Sequence, residues 1–172
     1  LAVISGCKST HFEVAELDPN TGFFPSKKMG YLATFKKVDL DSMKELILVP
    51  NGDFSKGQME NIGYFEKVIT FDDLEKLVIE NGLTDEVPSI QDRIGVNKAA
   101  KAYKNFLWLR FDDKKVGGKV YAQAILTNPI TLEDIFIAER AYNGGMLDDQ
   151  NVWYPLFNSL VEYIRRNSKT YN

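Results

Sequence analysis

Pairs of adjacent aspartates are the side chains of this chain best suited by type to acid–base chemistry or to cation binding. A purely structural role is open to each pair, because carboxylates stabilise helix N-termini and pair with nearby lysines. We place the first and last pairs at helix N-termini and the middle pair at a hairpin end beside Lys114 and Lys115. The pairs are Asp72-Asp73, Asp112-Asp113 and Asp148-Asp149. A hydrolase using clustered carboxylates is therefore the alternative hypothesis and not the leading one.

Residues 52–58 contain two glycines at the spacing of a phosphate-binding loop. Such a loop needs Lys and then Ser or Thr directly after its second glycine, where these side chains contact phosphate and Mg²⁺. Here Gln58 and Met59 follow Gly57, and Asp53 would repel an anion. The segment therefore predicts no nucleotide binding, and we expect no cofactor.

A single cysteine, Cys7, and a single histidine, His11, occur among the 172 residues. These counts exclude a disulfide framework, a Cys/His zinc site and most nucleophile–imidazole relays. His11 lies in a polar segment with nothing rigid to position it, so we predict no catalytic residue there. The net charge of −3 gives no general attraction for nucleic acid. No apolar run approaches the ~20 residues of a membrane span.

Cys7 follows an apolar stretch and the small residues Ser5 and Gly6, and this pattern resembles the lipobox of bacterial lipoproteins. In that family the cysteine becomes the acylated first residue of the mature protein. Acyl chains such as palmitate contribute about 0.8 kcal/mol per buried methylene, which in sum anchors a domain stably. Lys8 follows the cysteine, and the resemblance then implies the outer membrane. An apolar edge strand with an incidental buried cysteine is the other interpretation.

We divide the chain into three parts. Residues 1–7 are a signal-peptide remnant with the lipobox, and residues 8–43 are a polar tether with a docked extended segment. Asp18-Pro19-Asn20-Thr21-Gly22 is a strong turn signal within that tether. Residues 44–172 are predicted to be a single α/β domain.

The order of elements predicted for residues 44–172 is β-α-β-α-α-β-β-β-α, a mixed sheet with an antiparallel meander and helices packed on it. The first helix is expected to start with a capping box at Ser55 and Gln58, the second is capped by Asp72 with Glu75, and residues 148–151 offer caps for the last. A third helix is expected from Asp92 to Lys104. Gly117-Gly118 predicts a hairpin between two strands, and Gly144-Gly145 another turn. The strands are expected at residues 44–50, 67–71, 106–111, 120–127 and 135–142.

The last helix carries aromatic residues that have two possible roles. Trp153, Tyr154 and Phe157 could form a ligand platform, but their helical spacing favours a place in the core. Pro155 fits only if it lies in the first helical turn. Arg165, Arg166 and Lys169 close this helix, where cations complement its dipole, and they are too few to bind nucleic acid.

The element order resembles a group of small bacterial envelope domains that includes the amino-terminal domain of TolB and the core of the curli-export lipoprotein. The resemblance rests on residues 67–79, on Ala100, Tyr103, Phe106 and Leu107, and on the meander turn at residues 127–131. It implies a periplasmic α/β interaction module and carries over no catalytic residue.

These observations predict a lipid-anchored protein of the outer membrane that faces the periplasm. Acylated Cys7 would be its membrane anchor, and the domain would bind a partner protein or a second copy of itself. The alternative is a soluble periplasmic hydrolase or small-ligand binder that uses the clustered carboxylates. Neither a metal nor a nucleic acid is expected as a partner.

Overall fold

The computed structural model describes residues 12–142 and 147–171. Its centre is a six-stranded mixed sheet with the order β1-β6-β5-β4-β2-β3. The strands are β1 (Tyr31–Phe35), β2 (Leu46–Val49), β3 (Lys67–Thr70), β4 (Leu107–Val116), β5 (Lys119–Asn128) and β6 (Glu133–Tyr142). β4, β5 and β6 form an antiparallel meander, β2 runs parallel to β3 and β4, and β1 is antiparallel to β6. The predicted fold class is confirmed.

Two pairs of helices cover the sheet. They are α1 (Asp53–Ile62), α2 (Phe71–Glu80), α3 (Arg93–Ala102) and α4 (Tyr154–Asn167). α1 and α4 pack in one hydrophobic cluster with Ile47 and Val49, whereas α2 and α3 pack in another with Leu46 and Leu48. All four residues of β2 are buried because the strand is covered on both faces, which explains its continuous apolar sequence.

The predicted order of elements from residue 44 onward is the observed one, but the sheet has an additional strand before it. β1 lies within the segment that was expected to be a tether. Phe24, in the same segment, is only 1% exposed and belongs to the main core. The docked part of this segment therefore completes the sheet and the core, and the folded unit extends to the N-terminal side of residue 44.

Two predicted helix caps are wrong. α1 begins at Asp53 after Gly52, which has a φ of 120° and offers no side-chain cap, and Ser55 is buried inside the first turn. α2 begins at Phe71, and its capping box joins Thr70 to Asp73. The helix begins earlier than Asp72 because β3 ends at Thr70 and the chain turns there directly into the helix.

Other local predictions are confirmed. α3 lies within the helix predicted for residues 92–104, and the structure shows that the Asp92 carboxylate caps it by accepting the N–H of Gly95 at 2.7 Å. Gly117 and Gly118 have φ angles of 55° and 76°, the left-handed pair that a tight hairpin requires. Pro155 is the second residue of α4, where a missing N–H costs no helical hydrogen bond.

Candidate functional site

The polar side chains of α4 hold the segment that precedes and follows β1. They point to backbone groups of that segment, so that residues 24–38 are fixed along the helix although they contain only one short strand. The hydrogen bonds join Asn158 to Phe24 at 2.7 Å, Ser159 to Gly30 at 2.8 Å, Tyr163 to Lys36 at 2.8 Å and Asn167 to Val38 at 3.0 Å. Burial raises the pKa of the Tyr163 hydroxyl, which donates to the Lys36 carbonyl and stays protonated.

β1 is an edge strand with exposed apolar side chains. Within the described residues it pairs only with β6, so its other backbone edge has no strand partner. Tyr31 is 73% exposed, and Leu32 and Phe35 are also exposed. With Met29, these make up four of the eight exposed large apolar residues in the described chain. Exposed apolar residues thus concentrate on one seven-residue stretch, which is typical of a contact surface.

An open groove of about 830 Å³ lies next to β1, between the segment before this strand and the start of α4. Its wall is mostly apolar, with Phe23, Pro25 and Met29 as the main contributors. Asn158 holds its shape, because the amide of this fully buried residue bonds to the backbone of Phe24 and Ser26. The volume falls within the range of about 300–1,000 Å³ that is common for binding sites.

Cations surround this groove without carboxylate partners. Lys27 and Lys28 line it, and Arg140 donates to the carbonyls of Met29 and Asn151 on its wall. Arg165 lies over the Phe23 ring at 4.6 Å. None of the four has a carboxylate oxygen within 4.0 Å among residues 12–142 and 147–171. The groove therefore combines apolar walls with a positive rim.

One face of the β4–β5–β6 meander carries charged side chains that are paired with each other, unlike the cations around the groove. Arg110 bonds to Asp134 at 2.9 Å, and the buried carboxylate of Glu139 accepts from Lys114 at 2.9 Å and from Gln123 at 2.6 Å. Each of these charges is paired with a neighbour on the same sheet face, which is a stabilising arrangement of cross-strand pairs.

The three aspartate pairs are separate and locally bonded. Asp72 bonds to Asn51, while Asp73 caps α2, and the bonds from Thr70 hold the pKa of the Asp73 carboxyl below its ordinary value. In the second pair, Asp112 contacts Arg110 and Asp113 accepts from the Tyr142 hydroxyl.

The third pair lies before α4. Asp148 accepts the Asn151 N–H at 2.7 Å, which confirms a predicted cap. Asp149 accepts the Glu13 N–H at 3.0 Å, and burial raises the pKa of its carboxyl. No two of the three pairs share a hydrogen-bond partner or a cavity in the described part of the chain. The same residues include no cluster of three or more His, Cys, Asp or Glu that could hold a metal ion.

The other candidate residues from the sequence either pack in the core or pair with a neighbouring side chain. Lys56, in the segment with phosphate-loop spacing, lies 3.4 Å from Asp73. Tyr154 and Phe157 are buried in the core, as their helical spacing predicts, and Trp153 packs edge-on against Phe111 at 5.0 Å. Arg166 bonds to Glu162 one turn earlier on α4.

Cys7, His11 and the Gly144-Gly145 turn lie outside the described residues. Among the helices that the structure does describe, none has the length and apolarity to cross a membrane. The lipidation of Cys7 stays a prediction from the sequence.

Sequence reasoning missed the edge strand, the groove and the cations around it. A usable signal for β1 is the run Tyr31-Leu32-Ala33-Thr34-Phe35, rich in aromatic and β-branched residues, between Gly30 and a lysine pair. The groove had no local signal, because Asn158 and Phe24 are 134 residues apart.

Comparison with known proteins adds no relative. No protein-family model, curated protein or solved structure matches this chain. The structure thus defines a class, a mixed α/β domain with an exposed edge strand, and the likeness to the TolB group stays a prediction.

Proposed function

We propose that this chain is a protein-interaction module, and that it binds an extended segment of a partner protein along the open edge of β1. The observation that carries the proposal is the concentration of exposed apolar side chains on this strand, with Tyr31 73% exposed. An unpaired strand edge offers backbone N–H and C=O groups to an added strand, and alternate side chains give such an interface its specificity.

Lysines at both ends of β1 favour a different protein over a second copy as the partner. Lys27 and Lys28 precede the strand, and Lys36 and Lys37 follow it. Antiparallel pairing of two copies would bring Lys27 and Lys28 of one copy near Lys37 of the other, while Lys36 is paired with Glu133. Like charges opposite each other destabilise a strand pair, whereas acidic residues in a partner strand would be attracted.

We further propose that acyl chains on Cys7 hold the module on the periplasmic side of the outer membrane. Ser5 and Gly6 before this single cysteine, and Lys8 after it, support this location. Attachment to a membrane would raise the local concentration of the module near envelope partners.

A photo-crosslinking experiment tests the interaction. Benzoylphenylalanine replaces Tyr31 on β1 or, as the control, Ile94 on α3, which is 63% exposed. In cells of the native host we expect a discrete adduct from position 31 and none from position 94. Leu32→Lys, which places a charge on the edge, should abolish the adduct and leave the unfolding temperature unchanged. Equal adducts from both positions, or an adduct that survives Leu32→Lys, would contradict the proposal.

The anchor has its own test. Cys7→Ser should move the chain from the membrane fraction to the soluble fraction, and intact-protein mass spectrometry of the unaltered chain should show acyl chains on Cys7. A variant that stays in the membrane fraction would refute the anchor and leave the edge-strand proposal standing.

A further inference from the structure

The groove beside β1 combines an apolar wall with a positively charged rim. It has a volume of about 830 Å³, whereas three other cavities of the described structure have about 260 Å³ or less. Its apolar wall comes from Phe23, Pro25 and Met29, and its rim carries cations that lack carboxylate partners. An occupant must therefore present apolar groups and negative charge together.

The charge is available to a ligand because the chain does not neutralise it. Lys28 donates to the neutral Asn151 amide at 2.6 Å, and Arg140 and Arg165 donate to backbone carbonyls. The acidic residue in the lining, Asp18, accepts the N–H groups of Asn20 and Thr21 within its own turn. The residues outside the described structure, 1–11, 143–146 and 172, include no Asp or Glu.

The groove is preformed. Its wall from Phe24 to Ser26 is bound to the buried amide of Asn158, and Gly30 is bound to Ser159 and Pro155 on α4. Binding would therefore require little ordering of the protein itself.

We infer that this groove binds an acidic peptide segment of a partner protein, with an aromatic or aliphatic side chain against Phe23 and Met29 and carboxylates at Lys27 and Lys28. A peptide fits better than a small molecule, because the groove is open to solvent and its cations belong to three separate segments of the chain. The chain continues from Met29 on the groove wall into β1 at Tyr31, so that one extended partner segment could occupy both. This inference rests on the proposed interaction function and names the chemistry of the partner.

The test uses fluorescence anisotropy with a dye-labelled peptide of sequence EDEFLFDED and the full chain carrying Cys7→Ser. Two further peptides, KRKFLFKRK and EDEGSGDED, separate the charge from the apolar contribution. We expect binding of the first peptide, none of the second, and binding of the third that is weaker by about tenfold or more. The affinity should fall as salt is raised.

Matched variants locate the site. Lys27→Glu with Lys28→Glu should weaken binding by about tenfold or more, and Met29→Ser should also weaken it. Lys67→Glu with Lys76→Glu makes the same change of charge at another cavity, on the opposite edge of the sheet, and should leave the affinity unchanged. Equal losses in both lysine pairs would show attraction by overall charge only and would overturn the inference.

Two further outcomes would also overturn it. One is the absence of peptide binding at the solubility limit. In the other, the peptide does not bind, but the protein binds vesicles of phosphatidylglycerol and phosphatidylcholine, and this binding depends on Lys27 and Lys28. That result would assign the groove to a lipid surface. If benzoylphenylalanine at position 31 still gives the crosslinked adduct in either case, the interaction proposal stands without this site. If that adduct is also absent, the interaction proposal and the groove inference both fail.

Discussion

Asn158 on α4 and Phe24 before β1 are joined through both backbone polar groups of Phe24. The Asn158 Oδ1 accepts the Phe24 N–H at 2.7 Å, and its Nδ2 donates to the Phe24 carbonyl at 3.3 Å. Both residues are buried, with Asn158 fully so. The Asn158 amide thus bonds to the Phe24 backbone as a neighbouring strand would. These bonds lie at the wall of the groove.

Asn158→Ala should lower the free energy of unfolding by about 1–3 kcal/mol, because it leaves the buried Phe24 N–H without a partner, whereas the Phe24 carbonyl still accepts the Ser26 N–H at 2.6 Å. Urea unfolding of the variant measures this change. The exposed Asn105, for which no side-chain bond is found, provides the control, and Asn105→Ala should change stability by no more than about 0.5 kcal/mol. Equal effects of the two substitutions would show that the Asn158 bonds contribute no special stability.

The fold class and the order of the main elements could be predicted because the information is local. β2 is apolar throughout since both its faces are covered, and Gly117-Gly118 specifies a hairpin by backbone conformation alone. Short-range patterns of this kind need no knowledge of distant contacts.

The missed features depend on contacts between distant parts of the chain. β1 is a strand because β6 lies beside it, with Tyr31 opposite Glu139, more than 100 residues later. Its residues bury little apolar surface, so the hydrophobic pattern that reveals β2 is absent from them. The run of aromatic and β-branched residues at 31–35 is the local signal that a strand forms there, but the position of this strand at the edge of the sheet and the groove beside it depend on long-range contacts.

The N-terminus of α2 shows a different limit of sequence reasoning. Thr70 with Asp73 and Asp72 with Glu75 both have the three-residue spacing of a capping box, and only the end of β3 decides between them. Thr70→Ala should therefore cost about 1 kcal/mol of stability, and Asp72→Ala less than about 0.5 kcal/mol. Urea unfolding of both variants is the measurement, and the reverse order of effects would mean that the helix begins at Asp72.

Two helical glycines should respond in opposite ways to alanine. In α3, a Cβ on Gly95 would lie 2.1 Å from the Ser89 carbonyl oxygen, a backbone atom that is fixed by the loop before the helix. In α1, the three atoms nearest to a Cβ on Gly57 would all belong to the Val14 side chain, with its methyl groups at 2.8 Å, and Val14 is 45% exposed.

Alanine favours a helix over glycine by up to about 1 kcal/mol. Gly57→Ala should keep part of that gain, because Val14 can move into solvent. Gly95→Ala should instead destabilise the protein by about 2 kcal/mol through overpacking. Thermal unfolding of the two variants compares them directly, and a stabilised Gly95→Ala would show that the close approach to Ser89 is absent.

Asp41 connects the short helical turn Leu40–Met43 to the residues that follow α4. Its carboxylate accepts the Ser168 hydroxyl at 2.6 Å, the Lys169 N–H at 2.8 Å and the Tyr64 hydroxyl at 3.0 Å. The bonds from Ser168 and Lys169 are the main reason that the pKa of this carboxyl lies far below its ordinary value. The charged form therefore stabilises the folded state.

Asp41→Asn should lower the unfolding midpoint at pH 7, because the uncharged amide accepts these bonds less well and directs an N–H group toward donors. A carboxyl with a lowered folded-state pKa contributes its full stability above the unfolded-state pKa of about 3.9, and it loses this contribution as the pH falls toward the folded-state pKa. The difference between the unaltered chain and the variant should thus be constant from pH 8 to pH 5 and should shrink below about pH 4. Urea midpoints across this range test it, with Asp39→Asn as a control whose side chain lacks these bonds; a difference that persists unchanged to pH 2 would exclude the charge of Asp41 as its source.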